Sequence, residues 1–247
     1  MRTRAALAAI LVCASAAFAA AREPCSVPEA LADPQTLFPQ TSFAVKRKQR
    51  LDVLVLSGAP SQTGAAKGLR SYPSYFEATL KERLPGVEIR LTVRGTRRRT
   101  VMDLQPLLPA MLDAAKPNLV IWQSGTVEAH RGIDPEAFGK SLQAGVIQVV
   151  QRETDVILVD MQYSPRTSFL VDSAAYIENM RRVTETFDIA FFNRHDIMRY
   201  WNDSGVFDLS SLKDDGLYEK IHRCIGRLLA DFVVRGASLA KFKDGGQ

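Results

Sequence analysis

Apolar positions along the chain switch repeatedly between a period of two and a period near four. Leu51–Leu56 is a short run of aliphatic β-formers and predicts a strand. Tyr72, Phe76, Leu80 and Leu84 are spaced four apart, which predicts one face of a helix over Tyr72–Leu84, stopped by Pro85-Gly86. Val87–Val93 alternates as a strand. Val101–Ala115 reads as helical, broken near Pro106 and Pro109, and Leu119–Trp122 as a buried strand. Pro135–Arg152 begins with a proline in its first turn and places Phe138, Leu142, Val146 and Val149 on one helical face. Asp155–Met161 is a strand, Ser173–Phe187 a helix and Ile189–Phe192 a short strand; His195–Asn202 and Tyr218–Arg235 are the last helices. Strands separated by helices of this length predict an α/β domain, 51–240, with a parallel sheet, right-handed crossovers and helices on both faces. Its ligand crevice should lie at the carboxyl ends of the strands, in the loops after Leu56, Val93, Trp122 and Met161.

The segment before that domain reads differently. Arg2 and Arg4 precede an apolar run, Ala5 to Ala17, and small-x-small triplets follow at 17–19 and 19–21. This pattern predicts a signal peptide over 1–19, hence an exported protein, periplasmic or extracellular. The competing reading is an uncleaved anchor, for which the run is short. Residues 20–50 read as an arm, broken by Pro24, Pro28, Pro34 and Pro39, with Lys46-Arg47-Lys48 as a solvated turn. No later segment is long and apolar enough to span a membrane.

The chain has 247 residues, 46% hydrophobic and 24% charged, which suits one globular domain with a core. Removing 1–19 takes away two arginines and no acid. The 32 basic side chains become 30 against 27 acidic ones, so the formal charge falls from +5 to +3. That balance does not call for a nucleic-acid partner. Cys25 and Cys224 remain after cleavage. An even pair in an oxidising compartment reads as a disulfide, with two free buried thiols as the alternative. One pair is too few for zinc, no His or Cys cluster supports a metal, and no cofactor motif is present.

The predicted crevice loops narrow the chemistry. Gly58 and Gly64 stand one residue too far apart for a phosphate loop, and Ala65 occupies the lysine position. The G-x-S-x-G elbow is absent. After the second strand come Arg94, Arg97, Arg98 and Arg99, which either clamp an anionic ligand or form a solvated basic turn. Later loops carry Gln123-Ser124-Gly125-Thr126-Val127-Glu128, Asp160-Met161-Gln162-Tyr163-Ser164-Pro165 and Asp214-Asp215-Gly216-Leu217-Tyr218.

From Cys25 onward, the ordered markers "LSGAPSQTG", "SYPSYFEATLKERLPG", Arg94-Gly95, "PNLVIWQSGTVEAHRGIDPEAF", "VDMQYSPR" and "DDGLYEKIHRCIGRLLAD" resemble the SGNH (GDSL-type) hydrolases, most of all their exported bacterial branch. The resemblance implies a flavodoxin-like three-layer α/β/α sandwich with a parallel sheet of about five strands. It also supports pairing Cys25 with Cys224. The family's chemistry is ester hydrolysis by a serine in the first block and a histidine in the last, the latter oriented by an aspartate. Backbone N–H groups and an asparagine hold the oxyanion.

Against that pattern the chain departs at three positions. The nucleophile position is Ala59, the oxyanion asparagine is Val127 and the base is Tyr218, whose ordinary pKa near 10 suits it poorly to accept a proton. Gly95 and Asp215 are retained. Loss of one oxyanion donor alone typically costs about 10²–10³ in rate, and nucleophile and base act as a unit. The expectation is therefore a non-catalytic hydrolase-like protein that binds an anionic glycan or acylated ligand, or an envelope protein, at Arg94, Arg97, Arg98 and Arg99. Two alternatives stand beside it. One is an esterase or acetyl-hydrolase using Ser57 or Ser61 with His222, which lies one helical turn beyond Tyr218. The other is a structural envelope protein.

Overall fold

The computed structural model describes residues 25–57, 68–95, 98–210 and 215–240. The predicted signal peptide, Ala59, Ser61 and Arg97 lie outside the described residues. Five strands run in chain order as β1 (Arg50–Ser57), β2 (Glu88–Gly95), β3 (Leu119–Gln123), β4 (Asp155–Val159) and β5 (Ala190–Phe192). They form one parallel sheet in the order β2-β1-β3-β4-β5. The described helices are α1 (Glu29–Ala32), α2 (Pro39–Lys48), α3 (Tyr72–Arg83), α4 (Val101–Leu104), α5 (Leu108–Ala115), α6 (Thr126–His130), α7 (Pro135–Val150), α8 (Pro165–Leu170), α9 (Ala174–Phe187), α10 (Arg194–Asp203) and α11 (Asp215–Gly236).

Alternation along β1 divides the core in two. Leu51, Val53 and Val55 pack with Tyr72, Phe76 and Leu80 of α3 and with Ile221, Ile225 and Leu229 of α11. Leu54 and Leu56 pack on the other face with Leu108, Leu112, Phe138, Leu142 and Met180. The result is the parallel sheet with helices on both faces that the alternating pattern predicts, the three-layer α/β/α sandwich that the resemblance implies. A 3₁₀ turn, Gln105–Leu107, separates α4 from α5, because Pro106 and Pro109 each remove an N–H from the ladder.

The arm departs from its sequence reading. Its last third is a helix, α2, so Lys46-Arg47-Lys48 is that helix's exposed last turn and not a free turn. Pro39 does not break the helix; it sits at the first helical position, where a missing N–H costs nothing. Asp155, the first residue of β4, accepts the backbone N–H groups of Gln40 (3.3 Å) and Thr41 (2.7 Å), capping a helix distant in sequence. Phe38, Ala44 and Val45 are buried, so this part of the arm belongs to the core.

The α3–α11 pair positions the end of the last helix. At Gly226 an added Cβ would lie 2.7 Å from the Tyr72 carbonyl and 2.8 Å from the Phe76 nitrogen. Only glycine lets the two backbones approach this closely. The Cys25–Cys224 disulfide, Cα–Cα 4.9 Å, ties the start of the described chain to the same helix.

Candidate functional site

The carboxyl ends of the strands gather those sequence-predicted residues that the structure describes. Ser57 is the last residue of β1, in register with Gly95 of β2 and Gln123 of β3, and is buried. Arg94, Gly95, Arg98 and Arg99 are exposed at the end of β2 and beyond it. Arg99 lines a small cavity with Val101, Trp122, Ser124, Val127 and Glu128.

Gly125 turns the chain from β3 into α6 at φ +92°, a value that side chains resist, and a Cβ there would meet Met161 at 3.0 Å. Val127 is buried in the turn that follows. Beside it, the buried Glu128 carboxylate accepts the N–H of Gly125 (3.0 Å) and of Val101 (2.7 Å), joining the starts of α6 and α4. Burial pushes its pKa up, against the pull of those hydrogen bonds. Glu128 thus serves as a bracket between two loops.

Helix α11 begins at Asp215, three residues earlier than the apolar periodicity indicates. Asp215 therefore opens the helix, and Tyr218 lies in its first turn, with its ring 4.1 Å from that of His222. His222 is buried and its Nδ1 accepts the backbone N–H of Tyr72 at 3.1 Å. Burial, reinforced by the Arg194 charge, pushes its pKa down to about 3, so the ring is neutral at ordinary pH. A neutral imidazole that accepts at Nδ1 carries its hydrogen on Nε2 and has no lone pair left to take a proton.

The centre of this region is a residue that the sequence pattern did not single out. Arg194, the first residue of α10, is only 3% exposed. Its Nη2 donates to Gln162 Oε1 at 3.3 Å, and its Cζ lies 5.9 Å from the Tyr72 ring centroid. Its Nε has no partner. Burial lowers its pKa, while its charge acts on Tyr72, Asp160 and Tyr218. The Tyr72 hydroxyl is also buried without a partner, and burial raises its pKa to about 12. Asp160, just past β4, accepts the His195 N–H at 2.8 Å through Oδ1, while its Oδ2 is unpartnered. Burial raises its pKa to about 7. An arginine two residues past a three-residue strand carries no periodic signal, so its burial was invisible in the sequence.

His130 is exposed, and His195 is half-buried with its Nδ1 3.2 Å from Asp196. Among the described residues no group of His, Cys, Asp and Glu is placed to hold a metal ion.

Comparison with known proteins agrees with this architecture. An acetylxylan esterase from Geobacillus stearothermophilus is 16% identical, with a TM-score of 0.58 over 76% of this chain and 94% of that one. An alpha/beta hydrolase from the metagenome of Lake Arreo, Spain, is 19% identical, with a TM-score of 0.59 over 76% and 96%. A protein described as a lipolytic member of the G-D-S-L family, from Desulfitobacterium hafniense, is 18% identical, with a TM-score of 0.52 over 73% and 99%. At these identities the likeness is one of fold. No curated protein sequence matches significantly. The model of the non-GDSL lipase-like family matches residues 24–239, nearly the whole described chain, in keeping with the SGNH-type sheet. The chain belongs to the non-GDSL lipase-like family.

Proposed function

We propose that this protein is an exported, hydrolase-like binding protein that does not cleave esters by serine–histidine chemistry. The observation that carries this reading is the hydrogen bond from the Tyr72 amide to His222 Nδ1. His222 is the one imidazole within a helical turn of the family's base position, and that bond plus its burial leave it unable to accept a proton. Residue identity agrees: Ala59 has no oxygen at the nucleophile position, and Val127 has no donor at the oxyanion position.

The proposed ligand site is the carboxyl edge of the sheet, where Arg94, Arg98 and Arg99 are exposed to meet an anionic glycan or acylated ligand, with Arg97 added from the same stretch of sequence. Export rests on the basic-apolar leader and the Cys25–Cys224 bond. The test is purified protein lacking residues 1–19 on p-nitrophenyl acetate and butyrate. The expected rate equals that of the H222A variant and of buffer. Turnover that H222A abolishes overturns the reading. Replacing the four arginines with serine should abolish ligand retention without changing the melting temperature by more than a few degrees.

A further inference from the structure

The Arg194 side chain poses an electrostatic problem that the protein does not solve by itself. A guanidinium at 3% exposure has given up nearly all its hydration. Such a charge is tolerated when a counter-anion and hydrogen bonds replace the lost water. Here one nitrogen meets a neutral amide oxygen, that of Gln162, and Nε meets none. No carboxylate among the described residues forms an ion pair with it. Asp160 is the acid whose field reaches it, but its Oδ1 is committed to the His195 amide. Its neighbours also include Tyr72 and His222, neither of which is an anion at neutral pH.

We infer that Arg194 and Tyr72 form a site for the carboxylate group of a small ligand. The inference rests on the binding reading above only for its place at the carboxyl edge of the sheet. Two neighbouring side chains each keep a buried donor without a partner: the Arg194 Nε–H and the Tyr72 O–H. Two donors suit the two oxygens of a carboxylate, and one monoanion balances one uncompensated guanidinium. A phosphate would bring a second negative charge into a space already facing Asp160. Gln162, which holds Nη2, is itself exposed, so the guanidinium lies one side chain below the surface. Arg94, Arg98 and Arg99 are by contrast exposed. They would attract anions at the rim, whereas Arg194 would meet one where little water competes.

The probe is sodium acetate, titrated into the protein against sodium chloride at equal ionic strength. Thermal denaturation and calorimetry provide the two readouts. Acetate should raise the melting temperature in a saturable manner. The R194M variant should lose that response, and Y72F should bind acetate about tenfold more weakly. If R194M fails to fold, Y72F decides, since it removes a single oxygen. An unchanged acetate affinity in Y72F, an equal response to chloride, an equal response to inorganic phosphate, or no response in the wild type overturns the site. Hydrolysis of p-nitrophenyl acetate, measured in the same samples, tests the non-catalytic reading separately. Turnover with normal acetate binding sinks that reading alone, and no turnover with no acetate response sinks the site alone.

Discussion

His222 Nδ1 sits 3.1 Å from the Tyr72 backbone nitrogen, so the start of α3 is locked to the first turns of α11 by a neutral imidazole. Gly226, one turn further along α11, keeps the two helices close enough for the contact, since it lets their backbones approach. A G226A variant should therefore lose about 2–3 kcal/mol of stability, since the atoms it meets include backbone that cannot step aside. Urea denaturation measures this; a loss below about 0.5 kcal/mol would show that the interface yields.

His222 and Asp160 should give opposite pH dependences. The folded pKa of His222 is about 3 against an ordinary 6.5, so its contribution is present above pH 6.5 and is lost as pH falls toward 3. The folded pKa of Asp160 is about 7 against 3.8, so its contribution is present below pH 3.8 and is lost as pH rises through 7. Relative to H222Q, wild-type stability should rise with pH between 4 and 6, by up to about 1.4 kcal/mol per pH unit. Relative to D160N it should fall over the same range by a similar amount. Denaturant midpoints of the three proteins across pH 4–7 check both slopes, and parallel curves would refute the assignment.

Cys25 and Cys224 close a loop with a sequence separation of 199 residues. In the chain-entropy account such a link contributes up to about 5 kcal/mol, most of it by restricting the unfolded chain. The C25S/C224S variant, or the wild type under reductant, should show a lower guanidinium midpoint by an amount worth at least ~2 kcal/mol. A midpoint indifferent to reductant would mean that the bond adds nothing.

Restoring the family groups should work only in combination. A59S, V127N and Y218H as single changes should remain at background on p-nitrophenyl acetate, because nucleophile, base and oxyanion donor act as a unit. The triple variant should exceed background by about 10²-fold, with Asp215 standing three residues before the new histidine as in the family pattern. Activity in A59S alone would reveal a working base elsewhere in the cleft.

The sheet was legible from the sequence because its signal is local. Five aliphatic runs, each bounded by a helix pattern or a turn, were enough to place every strand, though β4 ends at Val159 and not at Met161. Helix ends were less legible. Helix α11 starts at Asp215, before its apolar stripe begins, and α2 arises where four prolines suggested an irregular arm. Its cap comes from Asp155, over a hundred residues away, so no local pattern could announce it.

By itself the sequence determined the fold class and the identities of Ala59, Val127 and Tyr218, on which the proposed loss of ester chemistry rests. These are matters of periodicity and residue identity, which a linear chain carries in full. Only the tertiary structure decided the protonation of His222, the isolation of the Arg194 charge and the unpartnered oxygens of Tyr72 and Asp160. Those depend on burial and on which donor meets which acceptor, and both are set when β4, α3, α10 and α11 converge from distant parts of the chain.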